Sequence, residues 1–172
     1  MQIGQKIIFD ENTCNGVYKR VMDKLPLVND IYSHPYKYNA EKLEHHTRVA
    51  LRELALEKVR KSKYPEYPSR MSCLYVSGSI EEAENWAELF IDWGRPTYSI
   101  VKLKVSGNVF SGDANNCFDA TVNETENLLL AEHYWQNLPN PQGEPPIKEM
   151  LVDGEIEVIK VIKEINRNVN AD

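Results

Sequence analysis

Across residues 74–90 the chain reads LYVSGSIEEAENWAELF, and two hydroxyls, Ser77 and Ser79, flank a glycine where a strand pattern gives way to a helix pattern. Serines at such a hinge serve either a nucleotide pocket or the helix itself. Ser79-Ile80-Glu81-Glu82 matches a capping box, in which the serine hydroxyl accepts from the amide three residues on and the glutamate reaches back. A cap of this kind contributes about 1 kcal/mol, and the two uses are compatible. Metal chemistry has less support. His45 and His46 are adjacent on a helix and project about 100° apart, while Glu41 and His45 share a face but supply only two ligands. No metal is expected. Cys14, Cys73 and Cys117 are widely spaced with no C-x-x-C pair, the pattern of reduced thiols. The sequence has no Walker-type glycine loop and no nucleophile elbow, which argues against the usual kinase and hydrolase routes.

The elements that must position these groups follow from periodicity. GVYKRVM, Gly16–Met22, alternates Val17, Lys19 and Val21 with Tyr18, Arg20 and Met22, the period of a strand. LPLVNDIYSHPYKYNAE then reads as an irregular, aromatic-rich passage with Pro26 and Pro35. Over residues 41–62, Leu43, Thr47, Ala50, Leu51, Leu54 and Ala55 form a helical apolar stripe. The cations of KVRKSK, residues 58–63, sit at its C-terminal end, where they complement the helix dipole. Pro65 and Pro68 break the helix, and a strand follows over about residues 71–76. A second helix has the apolar stripe Ile80, Ala83, Ala87, Phe90 and Ile91 and ends at Gly94 and Pro96. TYSIVKLKV is a half-buried strand and NVF a short one. A third helix starts near Asn123, with Glu124 and Glu126 in its first turn, and ends at Trp135 or Gln136. The chain closes with KEMLV, an Asp153-Gly154 turn and a longer strand. Strands and helices interleave without a βαβ rhythm, which gives an α+β domain with mixed or antiparallel sheets and flanking helices.

A chain of 172 residues fits a single domain, 1–172, whose core can dispense with metal or disulfide staples. The formal charge of −6 argues against broad nucleic-acid binding, which needs many cations on one face. No apolar run approaches the ~20 residues of a membrane-spanning helix. The opening MQIGQKIIFDENT lacks the layout of a secretory signal, so a cytoplasmic location is the expectation.

The order of VYKRV, a long helix, LYVSGSIEEAENWA and a late strand opening KEMLV resembles the mono-ADP-ribosyltransferase fold of diphtheria-toxin-like and related toxins. That resemblance implies an ADP-ribosyltransferase-like domain with NAD as its substrate and no metal. Arg20 on the first strand, or Arg70, would contact ribose and pyrophosphate through its guanidinium fork. Ser77 and Ser79 would shape the nicotinamide pocket, and Glu149 would be the catalytic carboxylate. Tyr75 and Tyr98 are candidates to stack on a ring, or else core residues. Ile147 stands where arginine-modifying members carry a second Glu or Gln, so transfer to arginine is not implied. Phrases such as YPSRMSCLYVS and EMLVDGEIEVI also resemble a small family of uncharacterised Bacillus-type proteins, which implies a homodimer of undefined activity. Two functions follow as expectations. One is cleavage of NAD at nicotinamide with transfer to an unknown acceptor or to water. The other is a non-catalytic homodimeric module that binds a nucleotide or a protein, with Trp86, Trp93 or Trp135 as interface anchors.

Overall fold

The computed structural model describes residues 1–10, 12–95 and 99–164. Within them the strands form two three-stranded antiparallel sheets. In the first sheet the long β6 (Gly154–Glu164) lies between β1 (Lys6–Phe9) and β3 (Ser99–Ser106); in the second, β5 (Lys148–Val152) lies between β2 (Leu74–Val76) and β4 (Val109–Asp113). Five α-helices accompany them among the described residues: α1 (Gly16–Met22), α2 (Leu25–Ser33), α3 (His45–Lys63), α4 (Ile80–Asp92) and α5 (Glu124–Trp135). The architecture is α+β, as the interleaving predicts. No described helix is long and apolar enough to cross a membrane.

The core is organised around α3, whose buried residues serve two clusters. Ala55, Leu56 and Val59 pack with Cys73, Phe110, Tyr134, Trp135 and Leu151 on the side of α5 and the second sheet. Ala50 and Leu51 pack with Val21, Val28, Ile31 and Met71, which ties in α1 and α2. Each fully buried Leu or Ile contributes roughly 1.5–3 kcal/mol relative to an exposed one. Trp135, expected among interface anchors, lies in this core instead, its Nε1 donating to Leu56 O at 2.8 Å.

Two passages between the sheets run side by side. β3 leaves the first sheet through Gly107 and Asn108 to become β4 in the second, and β5 leaves the second through Asp153 to become β6 in the first. Asn108 N donates to Asp153 Oδ1 at 2.7 Å and Asp153 N to Asn108 O at 3.2 Å. Gly154 has φ +77°, and a β-carbon there would lie 2.3 Å from Ser106 O; one at Gly107 would lie 2.2 Å from Asp153 O. Only glycine lets the two backbones approach so closely. Asp153-Gly154, expected as a hairpin turn, is therefore a crossing between sheets, because β5 already has β2 and β4 on its two edges.

Other expectations are corrected at the start of the chain. Gly16–Met22 is helical, so Arg20 is not on a strand. Asn15 Oδ1 accepts from Val17 N at 2.9 Å, and its Nδ2 donates to Arg70 O at 2.8 Å and Cys73 O at 3.1 Å. That anchored cap nucleates α1, and Val17 and Val21, four residues apart, share a helical face as readily as a strand face. The irregular passage after it contains α2, with Pro26 tolerated in its first turn. A 3₁₀ turn, Ala40–Lys42, takes Glu41 out of α3, whose start is capped by Glu44. Glu41 and His45 thus share no helix. β1, a four-residue strand paired to β6, went unread in the sequence because its apolar patch is so short.

Candidate functional site

The segment after α3 is folded back along the helix that precedes it. Arg60 forks onto Glu57 with two bonds of 2.9 Å and reaches Pro65 O at 3.2 Å and Tyr67 O at 3.0 Å; Ser69 Oγ donates to Glu57 Oε2 at 2.8 Å. This clasp turns Arg70 inward, where it is only 6% exposed. Arg70 Nε donates to Glu53 Oε2 at 2.9 Å, and Nη1 donates to Tyr134 OH at 2.6 Å and to Glu149 Oε1 at 2.5 Å. Tyr134 OH in turn donates to Glu149 Oε1 at 2.7 Å. A guanidinium from the α3–β2 connection, a carboxylate from α3, a phenol from α5 and a carboxylate from β5 thus meet in one knot.

Charge balances within it. Arg52 Nε donates to Glu53 Oε1 at 3.1 Å, so two guanidinium groups face two carboxylates. Burial pushes the Glu53 carboxyl up, but Arg70 and Arg52 outweigh it and hold that group below its usual value. Burial raises the Tyr134 phenol well above its usual value, against the pull of Arg70. Cys117, whose Sγ lies 3.9 Å from Glu149 Oε1, is pushed up by burial to about 11 and stays a thiol. Arg70 lies between two rings, its Cζ 5.4 Å from the Tyr75 centroid and 5.0 Å from that of Tyr134. Tyr75 sends its hydroxyl inward to Arg70 O at 3.1 Å and leaves part of its ring exposed. Among the described residues, Glu149 Oε2 and Arg70 Nη2 have no hydrogen-bond partner.

A family model described as protein of unknown function, DUF2441, matches residues 1–164. The chain belongs to the DUF2441 family. No curated protein sequence matches it.

Of the residues that the DUF2441 sequence offers as candidates, Arg70, Glu149 and Tyr75 come together. Ser77 follows β2 one residue past its last register pair, Val76 with Met150, at the Glu149 end of β5. Ser79 serves the helix: its Oγ accepts from Glu82 N at 3.1 Å, and Glu82 Oε2 accepts from Gly78 N at 2.8 Å. Arg20 lies on exposed α1 surface, where its Nε turns back to Gly16 O at 3.1 Å, and it does not join the knot. Tyr98 lies outside the described residues. Beside β4 a hollow of about 580 Å³ is bordered by Gly112, the register partner of Glu149, and by Lys148, Ser111, Asn137 and Leu138. Asp113 in its wall is committed to bracing the loop, accepting from Asn115 N, Ile147 N and Asn140 Nδ2 at 2.9, 3.0 and 2.8 Å. Sequence reasoning missed Glu53 and Tyr134. Glu53 had a signal, since it stands three residues from both Ala50 and Leu56 on the buried face of α3, where a carboxylate demands a cation. Tyr134 had none, because only the docking of α5 against β5 brings it to Glu149.

Proposed function

We propose that this DUF2441 protein is an ADP-ribosyltransferase-like domain that binds NAD and cleaves it at nicotinamide, passing ADP-ribose to an acceptor or to water. The observation that carries the reading is the fixed carboxylate of Glu149, with one oxygen held by Arg70 and Tyr134 and the other without a hydrogen-bond partner among the described residues. Supporting it, β2, which ends one residue before Ser77, is the direct neighbour of β5, which carries Glu149. The hollow beside β4 reaches the register partner of Glu149, Gly112, and its neighbour Lys148, while Glu149, Arg70, Tyr75 and Ser77 do not line it.

The residues fit the ribose and nicotinamide end of such a ligand better than its pyrophosphate. Glu149 would accept from a ribose hydroxyl, Ser77 would offer a hydroxyl at the end of β2, and Tyr75 would offer a ring face. At the phosphate end Ser79 Oγ takes the amide of Glu82, Glu82 Oε2 takes that of Gly78 just before α4, and Arg20 is turned onto its own helix. Of the two candidate arginines, Arg70 is the one beside Glu149, with its Nη2 left, among the described residues, for the negative charge. As the bond from ribose to nicotinamide breaks, its electron pair leaves with nicotinamide and positive charge grows on the sugar. A carboxylate already held by two donors stabilises that charge without reorganising.

The test is release of free nicotinamide from NAD by the purified protein, followed chromatographically. Glu149→Gln, which keeps an acceptor for Arg70, is expected to lower release about 100-fold or more while leaving circular dichroism unchanged. Binding by calorimetry without release would convert the reading to a non-catalytic nucleotide-binding module. Neither binding nor release would overturn both.

A further inference from the structure

One side of α4 carries an apolar stripe set among acids. Trp86, Leu89, Phe90 and Trp93 recur at the spacing of neighbours on a helix surface. Their rings form a ladder, with 5.9 Å between the centroids of Trp86 and Phe90 and 5.9 Å between those of Phe90 and Trp93. Trp86 is fastened to the second sheet through Nε1 and Lys148 O at 3.3 Å. Burial stops there: Leu89 is 37% and Trp93 59% exposed. Contiguous exposed aromatic surface of this kind marks an interaction site more often than a solvated face.

Charge narrows the occupant. α4 holds Glu81, Glu82, Glu84, Glu88 and Asp92 and no Lys or Arg. Lys148 pairs with Glu82 and Lys163 with Glu84, whereas Glu81, Glu88 and Asp92 make no ion pair among the described residues. The ladder already takes one guanidinium: Arg95 Cζ lies 6.0 Å from the centroids of both Phe90 and Trp93, the range of a cation–π contact.

We propose that this face docks a cationic amphipathic segment of a partner protein, independently of any NAD chemistry. Apolar side chains of the segment cover Leu89 and Trp93, and its Lys or Arg side chains meet Glu88, Asp92 and the aromatic faces. A second copy of this chain is the poorer occupant, because two α4 stripes face to face would set acid against acid. An anionic membrane surface is disfavoured for the same reason.

Tryptophan fluorescence of the full chain, titrated with a synthetic peptide of Lys and Leu at helical spacing, tests the proposal against an isomeric peptide of scrambled order. The expected result is a saturable blue shift with about tenfold tighter binding of the amphipathic isomer, weakened by Trp93→Ala and by Glu88→Gln with Asp92→Asn. Equal binding of the two isomers, or undiminished binding by Trp93→Ala, would overturn it. A dimer in sedimentation that Trp93→Ala abolishes would give the face to a second copy and also refute the proposal.

Discussion

Arg70 serves two carboxylates: Glu53, 2% exposed and also paired with Arg52, and Glu149, for which Arg70 is the one ion-pair partner among the described residues. A buried ion pair gains little over an apolar pair of the same shape, but removing one partner strands the other charge. Arg70→Met is therefore expected to cost about 3–5 kcal/mol in urea unfolding. The double variant Arg70→Met with Glu149→Leu should recover a large part of that loss, since the stranded carboxylate is gone while Glu53 keeps Arg52. Equal losses in the single and double variants would mean that Glu149 does not depend on Arg70 for its charge. Arg70 and Glu149 were both legible as chemically capable residues, each through a separate motif. That they are one another's partners was not legible, because 79 residues separate them and only the packing of the α3–β2 connection against β5 joins them.

Elements with a strong period and their own caps were readable, and those fixed by distant contacts were not. α4 follows its capping box, and α5 starts where Asn123 Oδ1 accepts from Glu126 N at 3.2 Å. β3 keeps the alternation that marks it from Val101 onward, whereas β5 ends on two adjacent buried residues, Leu151 and Val152. α1, by contrast, depends on Asn15 reaching Arg70 O and Cys73 O, more than fifty residues away, and the fate of Asp153-Gly154 depends on which strands flank β5. The difference can be measured by comparing Ser79→Ala with Gly154→Ala. Loss of the cap removes one local hydrogen bond and should cost about 1 kcal/mol. At Gly154 a methyl group must enter at positive φ and 2.3 Å from Ser106 O, so both sheets have to yield, and the cost should reach about 3 kcal/mol or more. Guanidinium unfolding of the two variants checks the order, and a Gly154→Ala loss no greater than that of Ser79→Ala would refute the crossing as a rigid joint.

The whole molecule carries a net charge of −6, and its response to acid runs through carboxylates held below their usual value, Asp10, Asp30 and Glu44 at the surface and Glu53 and Glu57 inside the fold. Burial pushes Glu53 and Glu57 up; Arg70 and Arg52 overcome that at Glu53, and Arg60 with Ser69 overcomes it at Glu57, leaving both below the ordinary 4.5. A carboxyl whose value is depressed by folding takes up its proton more readily when unfolded. Its stabilising contribution is then complete above about 4.5 and disappears as pH falls through the lower folded value. The buried thiols of Cys73 and Cys117, pushed up to about 12 and about 11, stay protonated throughout this window and add no slope. The urea midpoint should therefore hold level through neutral pH and drop below about 4.5. Glu53→Gln should begin from a lower midpoint, having lost the charge that Arg70 and Arg52 pair with, and should fall less steeply in acid because one of the linked protons is no longer taken up. A variant that loses stability as steeply as the parent would remove Glu53 from the acid response, and a midpoint that rises toward acid would reverse the sign of the whole linkage.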